Sequence, residues 1–374
     1  MTALAEVNHL KKTPLYDEHV RLGGKMVGFG GWSLPVYYTS IIAEHQWTRQ
    51  SCSVFDVSHL GEIRVQGKGA FDFLQRRLTN DLHKVKSSHI LYNLLCDEKG
   101  GILDDILVYC ENAEDFYLIV NAANINADFE AFSSAAPASV TLSNQSDRTA
   151  CIAVQGPMAE AILEKIFKFS LKNMAYYTFR QEKFLEEPVW VSRSGYTGED
   201  GFEIFSCNDL SVKIWQKLLS EGKPLGALPA GLGSRNTLRL EAGNLLCGSD
   251  MDRTTTPLEA GLGFAVSFEK AGGFVGSEAL SNQKKNGANR KIAAFRMLDK
   301  PIAREHYKIF KSGQEIGRVT SGSYAPTAGA NIGLGYVAKG FETPGTEIEI
   351  EIHGQRSKAE IVKRPFVPQK HKKI

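Results

Sequence analysis

Two adjacent aspartates, Asp104 and Asp105, end the glycine-rich run GGILDD at residues 100–105. This run lies between two apolar segments, which predicts a hairpin whose second strand begins at residue 102. Side chains alternate between the faces of a strand, so the two carboxylates are expected on opposite faces. A buried carboxylate without a partner is costly, and each aspartate therefore needs a structural hydrogen bond or a ligand. The neighbours expected on the face of Asp105 are Leu103, Leu107 and Tyr109, and those of Asp104 are Ile102, Ile106 and Val108.

A second candidate is the loop GYTGEDG at residues 195–201, which holds three glycines in seven positions. It joins predicted strands at residues 189–192 and 202–204, and Glu203 faces away from Phe202 and Ile204 in the second strand. A solvent-facing glutamate in a hairpin would explain this pattern. Alternatively, the glycines bring the backbone close to a flat ligand on which Tyr196 stacks.

A third candidate is Arg235, near the start of a helix predicted from Ser234 to a stop at Gly243. The helix dipole disfavours a cation in the first turn by a few tenths of a kcal/mol. This mismatch indicates an anionic partner from outside the helix, although a surface arginine without a role explains the sequence equally well.

Other motif-like patterns predict no site. Residues 56–59 read DVSH, but an aspartate, a serine and a histidine adjacent in sequence cannot form a catalytic relay without other partners. The pattern GLGYVA at residues 333–338 matches a dinucleotide fingerprint, but no predicted helix follows it. No histidine–glutamate zinc motif and no phosphate-binding loop is present, and no metal is expected.

The elements that must position these residues fall into two groups. Before residue 281, predicted helices mix with strand meanders, which favours an α+β fold over a doubly wound parallel sheet. One of these helices is expected to be capped by Asp209. The polar stretch at residues 281–289 is the expected boundary. Beyond it, the alternation at residues 347–352 and a hairpin signal at residues 309–319 predict a small antiparallel barrel or sandwich.

Composition limits the classes of protein that fit. The chain has 374 residues, of which 43% are hydrophobic and 23% are charged, as in a globular protein of two or three domains. Its formal net charge of +2 provides no global field, so neither nucleic acid nor a membrane surface is expected as a partner. No apolar stretch approaches the roughly 18 residues that a membrane-spanning helix needs.

The cysteines and the first residues bear on the compartment. Six cysteines form no C-x-x-C pair, which predicts reduced, mostly buried thiols. The opening residues MTALAE resemble neither a secretory signal nor an organelle transit peptide. We therefore expect a bacterial cytoplasmic protein, or a protein of the mitochondrial matrix from which a transit peptide has been removed.

Taken together and in this order, the motifs resemble the T-protein family of the glycine cleavage system. The resemblance extends from TPL at residues 13–15 to PFVP at residues 365–368, which is nearly the whole chain. Besides the runs described above, it is carried by FGGW at residues 29–32, FDVSH at 55–59 and VTSG at 319–322. Each motif is weak alone, but their order and spacing are specific.

The resemblance implies three domains, arranged as a cloverleaf around a central folate site. A ferredoxin-like insertion at residues 56–144 would carry the Asp105 hairpin. It would divide the first domain into residues 1–55 and 145–270. Residues 285–374 would form a C-terminal antiparallel β-barrel.

The implied activity is that of an aminomethyltransferase. The methylene carbon of the aminomethyl-dihydrolipoyl carrier, the lipoylated H-protein, passes to tetrahydrofolate, a co-substrate. The products are 5,10-methylenetetrahydrofolate, ammonia and the dihydrolipoyl carrier. Asp105 matches the family's catalytic aspartate, Glu203 the acid that binds the pterin, and Arg235 a folate-site arginine. Residues expected to line the same site are Leu60, Tyr92, Tyr109 and Tyr196.

Two positions depart from the family pattern. The family commonly has an aspartate where this chain has Asn236, so Arg235 would be oriented less strongly if orientation is the role of that aspartate. His371 replaces a position that is often aromatic or basic, and a ligand role is not expected for it. The tail at residues 370–373 is expected to be frayed and solvated or, alternatively, to help attract the acidic carrier.

Two related classes of protein are alternatives. The first is a non-catalytic folate-binding protein related to iron–sulfur assembly factors, which carry a KGCYxGQE element. This chain has GYTGED at residues 195–200 instead and keeps Asp105. The second is an oxidoreductase of the sarcosine or dimethylglycine type, which would need a flavin domain, and the sequence shows no flavin fingerprint.

Overall fold

The structure is a computed structural model and describes residues 10–372. Its helices are α1 (Tyr16–Arg21), α2 (Ile41–Gln50), α3 (Ala70–Arg77), α4 (Ile125–Ser133), α5 (Ala159–Phe167), α6 (Asn208–Gly222), α7 (Leu232–Glu241) and α8 (Ser277–Asn286), with 3-10 turns at Leu82–Lys84, Lys223–Leu225 and Gly263–Ala265. Within the described range, none of these helices combines the length and the apolar character needed to cross a membrane.

The strands form four sheets, and their bounds are as follows: β1 (Lys11–Lys12), β2 (Lys25–Phe29), β3 (Trp32–Tyr37), β4 (Cys52–Asp56), β5 (Gly61–Gln66), β6 (His89–Cys96), β7 (Ile102–Asn112), β8 (Asp115–Val120), β9 (Thr141–Asn144), β10 (Thr149–Gln155), β11 (Phe179–Phe184), β12 (Glu187–Ser192), β13 (Gly201–Cys207), β14 (Ala227–Pro229), β15 (Arg290–Met297), β16 (Lys308–Lys311), β17 (Gln314–Ala325), β18 (Ala330–Ala338), β19 (Glu347–Ile352) and β20 (Gln355–Val362).

A six-stranded sheet in the order β11-β12-β13-β10-β4-β14 forms the first layer. Helices α5 and α6 cover one face and bury a core that includes Trp215, Ile162 and Phe202. Its strand β4 precedes the five-stranded sheet in the chain, whereas β10 to β14 follow it. The chain therefore leaves this sheet after β4 and returns to it with β10.

The five-stranded sheet has the order β6-β7-β8-β5-β9, and all its pairs are antiparallel. Residues of α3 and α4 such as Leu74 and Phe132 pack on it around Ile106. The expected domain limits stay predictions: β4 runs across the limit at residue 55, and β9 ends at residue 144.

The C-terminal strands close into an antiparallel barrel in the order β15-β18-β17-β16-β19-β20. Strand β19 covers the predicted residues 347–352, with its isoleucines buried and its glutamates facing outward. The mixed fold with a closed C-terminal barrel confirms the expected class. The polar boundary stretch is partly helical, however, because α8 extends through Asn286.

Two further predictions concern helix starts and cysteines. Helix α7 begins at Leu232, two residues before the predicted start, and Asp209 lies inside the first turn of α6 instead of capping it. Both differences shift the first residue of a helix by one turn or less, and helix ends are the positions that sequence signals define least well. The cysteines are free and mostly buried, as predicted, except that Cys207 is exposed and Cys247 is half-buried.

Candidate active site

A cavity of about 620 Å³ lies between the six-stranded sheet, the five-stranded sheet and the chain that follows α7. This volume falls within the roughly 300–1,000 Å³ typical of small-molecule sites. Its wall contains six of the seven residues predicted for the site: Leu60, Tyr92, Asp105, Tyr196, Glu203 and Arg235. Tyr109 is not part of the wall formed by residues 10–372.

Asp105 reaches the cavity from β7 and accepts hydrogen bonds from two side chains. The Tyr92 hydroxyl donates to its Oδ2 atom over 3.1 Å, and the Asn121 amide donates to its Oδ1 atom over 2.7 Å. Burial, and then the charge of Asp104, raises the pKa of Asp105 to about 7. Near neutral pH this group can therefore be either an acid or a carboxylate, as proton exchange requires.

Asp104 is fully buried behind the cavity wall, where protein groups bond both of its carboxylate oxygens. Its Oδ2 atom accepts from the Asn121 backbone over 2.9 Å. Its Oδ1 atom accepts from the side-chain amides of Asn121 and Asn124 over 2.7 and 2.8 Å. The Asn121 amide therefore bridges Asp104 and Asp105, since it donates to an Oδ1 atom of each.

The strand around these aspartates is not regular. Successive residues of β6 pair with Asp104 and with Ile102, which leaves Leu103 as the extra residue of a bulge. Leu103 packs with Ile106 in the core of the five-stranded sheet, on the side of Asp104. The prediction that Leu103 shares the face of Asp105 is therefore wrong, because the bulge reverses the alternation before Asp104.

Asp104, Asp105 and Cys247 bring oxygen and sulfur atoms within 4.8 Å of one another. The amide of Asn124 donates to Asp104 and, over 3.5 Å, to the sulfur of Cys247, and the amide of Asn121 donates to both carboxylates. N–H hydrogens thus occupy the space in which a cation would need electron pairs. We assign no metal ligand here, and the expectation of a metal-free site stays a prediction.

Glu203 lies on the opposite wall and is only 6% exposed. Its neighbours Phe202 and Ile204 face the core under the six-stranded sheet, so the alternation of β13 turns Glu203 towards the cavity. The Ser194 hydroxyl donates to its Oε2 atom. Burial raises the pKa of Glu203, while this hydrogen bond and the charge of Arg235 oppose the shift. Glu203 is therefore not the solvated hairpin residue that the sequence also allowed.

Tyr109 lies behind Glu203 instead of on the cavity wall. Its side chain is 1% exposed, and its hydroxyl donates to Ser192 Oγ over 3.1 Å. Ser192 Oγ is 2.7 Å from Ser194 Oγ, which in turn bonds Glu203. Tyr109 follows Asp105 on the same face of β7, but by that point the strand has passed the cavity and entered the core between the sheets. Its expected ligand contact is thus replaced by a hydroxyl chain that supports Glu203.

The side chain of Arg235 has no hydrogen-bond partner or ion-pair partner among residues 10–372, although it lines the cavity. Its guanidinium lies over the ring of Tyr196, 4.7 Å from the centroid. Burial lowers the pKa of Arg235, opposed by Tyr196 and Glu203. Asn236 does not orient it, because the Asn236 side chain accepts instead from Arg239 over 2.9 Å.

The glycine-rich loop positions Tyr196, whose hydroxyl donates to the carbonyl of Leu245. Gly198 has φ near +80°, a conformation that other residues rarely adopt. A Cβ atom at Gly195 would lie 2.0 Å from the side chain of Gln155. The close approach that requires glycine at residue 195 is therefore to a neighbouring side chain.

Several cavity residues were not predicted from the sequence. His59 lies in the DVSH run that predicted no site; Asp56 bonds His19 instead, over 2.8 Å. Burial, and then the charge of Arg235, lowers the pKa of His59 to about 4, so its ring is neutral. Asn121 directly follows β8 and had no motif to mark it. Others found only in the structure are Tyr176, Tyr177, Asn244, Phe264 and Arg364.

The C-terminal tail also contributes to the cavity. The ring of His371 stacks on Tyr176 with 4.0 Å between centroids, and both residues lie in the wall. Lys370 bonds Glu199 and Lys372 bonds Glu160, over 3.0 and 2.9 Å. The prediction of a frayed tail is therefore wrong for residues 370–372, because these bonds hold it in place, whereas Lys373 lies outside the described residues.

The fold and the cavity define a class that known proteins share. Residues 15–270 match the family described as GCVT N-terminal domain, and residues 290–368 match the glycine cleavage T-protein C-terminal barrel domain. The chain therefore belongs to the glycine cleavage T-protein family.

Individual relatives agree with this assignment. A protein of Thermosipho melanesiensis named aminomethyltransferase is 48% identical over 96% of this chain and 97% of its own length. One of the same name from Halothermothrix orenii is 44% identical over 96% of this chain and 100% of its own length. The crystal structure of glycine cleavage system aminomethyltransferase T from Bartonella henselae superposes with a TM-score of 0.91, at 32% identity over 96% of this chain and 99% of that one.

Proposed function

We propose that this chain is the tetrahydrofolate-dependent aminomethyltransferase of a glycine cleavage system. It transfers the methylene carbon from the aminomethyl-dihydrolipoyl arm of an H-protein to tetrahydrofolate. Ammonia and the dihydrolipoyl carrier are the other products. The relatives described above carry the name aminomethyltransferase, which does not favour the alternative of a non-catalytic folate-binding protein.

The observation that carries this proposal is the pairing of Glu203 with Arg235 in one cavity. Glu203 is buried and Arg235 is half-buried in the cavity wall, and the Arg235 side chain has no hydrogen-bond partner among the described residues. Unmade hydrogen bonds of a desolvated charge cost about 1–3 kcal/mol each, so the pair is built to receive polar groups of a ligand. A pterin edge offers two parallel N–H donors to a carboxylate, and a carbonyl to an arginine.

The remaining predicted residues fit the flat, partly apolar shape of a folate. Tyr196 lies under Arg235 and supplies an aromatic wall, and Leu60 supplies an apolar one. Tyr92 holds Asp105 and stacks on Phe264 with 5.8 Å between ring centroids. Phe264 is 69% exposed, so this end of the cavity is the open one and would face the arriving carrier arm.

Asp105 is the group that we assign to the chemistry. Tetrahydrofolate, once bound, would supply the nitrogens that accept the methylene carbon. The donor carbon becomes iminium-like as ammonia leaves, and a carboxylate at Asp105 would stabilise the positive charge. Its pKa near 7 also lets Asp105 take or return a proton at a folate nitrogen under neutral conditions.

The test is a reconstituted transfer. The purified chain is mixed with a lipoylated H-protein that carries the aminomethyl group, and ammonia and 5,10-methylenetetrahydrofolate are measured with and without tetrahydrofolate. We expect both products in equal amounts, and ammonia release that depends strongly on tetrahydrofolate. Folate binding without any product from the charged carrier would disprove the proposal and restore the binding-protein alternative.

A further inference from the structure

A third carboxyl group lies behind the two aspartates. Asp128, in the first turn of α4, is 2% exposed and within hydrogen-bonding reach of Asp104. Its Oδ2 atom has no hydrogen-bond partner among residues 10–372 if both carboxyls are ionised. An ionised carboxylate only accepts hydrogen bonds, so two facing carboxylates leave an oxygen unpaired unless one of them holds a proton.

The hydrogen bonds indicate which of the two carries the charge. Two buried carboxyls in contact cannot both be ionised at neutral pH, because like charges at this distance repel strongly. Asp104 accepts three N–H bonds from Asn121 and Asn124, all of which stabilise a negative charge. Burial, and then the charge of Asp104, raises the pKa of Asp128 to about 10. The proton therefore belongs to Asp128.

The surrounding charged and titratable groups do not change this assignment of the charge to Asp104 and of the proton to Asp128. Arg253 favours an ionised Asp128 but is itself exposed to solvent. Burial, and then the charges of the aspartates, raises the pKa of Cys247, so its thiol is neutral. On the far side of the Asn121 amide, Asp105 is the group that titrates near neutral pH.

We propose that Asp128 is a positioning residue for carbon transfer: as a neutral carboxylic acid it donates a hydrogen bond to Asp104 and keeps Asp104 charged beside Asp105. The charge of Asp104 in turn opposes ionisation of Asp105, which tunes the proton affinity of the reacting group. Asp128 thus acts on the reaction through Asp104, without touching substrate. This inference rests on the proposed aminomethyl transfer.

Two substitutions separate the roles of hydrogen bond and charge. Asp128→Asn keeps a neutral side chain that can donate to Asp104, whereas Asp128→Val keeps a similar shape without a donor. The readout is the midpoint of the pH dependence of single-turnover ammonia release at saturating tetrahydrofolate. We expect Asp128→Asn to keep the wild-type midpoint. Asp128→Val should lower it by about one pH unit or more, because Asp104 loses the bond that holds its charge next to Asp105.

Folate affinity is expected to stay unchanged in both variants, since Asp128 does not line the cavity. A shifted midpoint in Asp128→Asn would overturn the proposal, because it would mean that the native Asp128 is charged. An unchanged midpoint in a folded Asp128→Val would overturn it as well, because Asp128 would then have no influence on Asp105.

A second measurement does not depend on activity or on the folding of the valine variant. The infrared difference between wild type and Asp128→Asn at pH 7 should contain the C=O band of a neutral carboxylic acid, and its absence would overturn the proposal. The matched control is Glu62→Gln: Glu62 is 1% exposed, both its Oε atoms lack partners among the described residues, and burial raises its pKa. That variant should lose a separate acid band and keep the wild-type midpoint.

The two proposals can fail separately. A protein with the Asp128 acid band but without carbon transfer would contradict the proposed function, and with it a role of Asp128 in transfer, but not the neutral state of Asp128. A protein that transfers carbon without that band would contradict only the role of Asp128.

Discussion

The two ends of the cavity hold their acidic residues in different ways. Asp105 accepts hydrogen bonds from Tyr92 and Asn121 and lies next to the fixed charge of Asp104. Glu203 and Arg235 have opposite charges and line one cavity. The described residues nevertheless contain no ion pair between them and no hydrogen bond of the Arg235 side chain. The first end is satisfied by the protein, and the second is left incomplete.

This difference separates proton chemistry from binding. Where the protein supplies the hydrogen bonds, it also sets the proton affinity, as at Asp105. Where it leaves a half-buried arginine side chain without a protein partner, a ligand that supplies the missing hydrogen bonds gains affinity. Substitutions at the Asp105 end should therefore change the rate, and those at the Glu203 end should change affinity.

The largest expected effect is that of Asp105→Asn. The amide cannot exchange a proton or carry a negative charge, so carbon transfer should fall by roughly 100- to 10,000-fold, the usual share of one acid–base group. Single-turnover ammonia release from the charged carrier measures this. Tetrahydrofolate affinity, measured by calorimetry, should change by less than tenfold.

The matched control is Glu347→Gln, because Glu347 is an exposed carboxylate on the barrel strand β19. It should retain wild-type rates. Near wild-type transfer by Asp105→Asn would contradict the assignment of chemistry to the Asp105 end and of binding to the Glu203 end. A loss of folate affinity as large as the loss of rate would contradict it as well.

The second effect is that of Glu203→Ala on binding. Removing one or two charge-assisted hydrogen bonds should cost about 2–4 kcal/mol, which corresponds to a roughly 30- to 700-fold higher Kd for tetrahydrofolate. Calorimetric titration measures this, with Glu347→Ala as the control. If Glu203→Ala slows transfer at saturating folate but binds folate normally, the Glu203 end takes part in the chemistry and not in binding.

The sequence predicted most residues of the cavity wall but not every side-chain direction along the strand that carries Asp105. Six of the seven predicted residues lie in the cavity wall. Local patterns had marked Glu203, Tyr196, Arg235 and the aspartate pair, whereas the choice of Asp105 and the addition of Leu60 and Tyr92 came from the family resemblance. Alternation failed at Leu103 and at Tyr109 for different reasons. A bulge reversed the faces at Leu103, and the strand had left the cavity by Tyr109.

The parts of the site that were not predicted depend on contacts distant in sequence. Asn121 reaches Asp104 and Asp105 across the pairing of β7 with β8. His371 meets Tyr176 across nearly 200 residues, and no local pattern in either segment indicates that contact. The barrel, in contrast, was predictable because β19 alternates and because short turns join β16 to β17, β17 to β18 and β19 to β20.

The raised pKa of Asp105 predicts that Asp105→Asn gains stability relative to wild type as the pH rises. The pKa of Asp105 is raised to about 7, above the roughly 3.9 expected in the unfolded chain, so the unfolded state releases this proton first. Stability is therefore lost as the pH rises between these values, and the penalty is complete above about pH 7. Asp105→Asn removes this penalty, and its melting temperature relative to wild type should rise from pH 5 to pH 8.

Thermal unfolding of both proteins at the two pH values checks this. The amide also alters hydrogen bonds of Asp105, and the effect of this on the melting temperature is the same at both pH values. It therefore cancels when the two pH values are compared. A relative melting temperature that falls with pH would mean that the carboxylate is stabilised in the folded state, and the contrast with the Glu203 end would disappear.

The smallest expected effect is that of His371→Ala, at the edge of the binding end. The His371 ring stacks on Tyr176, and burial lowers the pKa of His371, so the contact is one of neutral rings. Such a stack contributes about 0.5–1.5 kcal/mol, and its loss should raise the Kd for tetrahydrofolate by roughly 2- to 13-fold while the rate at saturation stays the same. Lys372→Ala provides the control, because it removes the ion pair of the tail with Glu160 but leaves the stack. If Lys372→Ala weakens folate binding as much as His371→Ala, the ordering of the tail, and not the ring of His371, supports this end of the cavity.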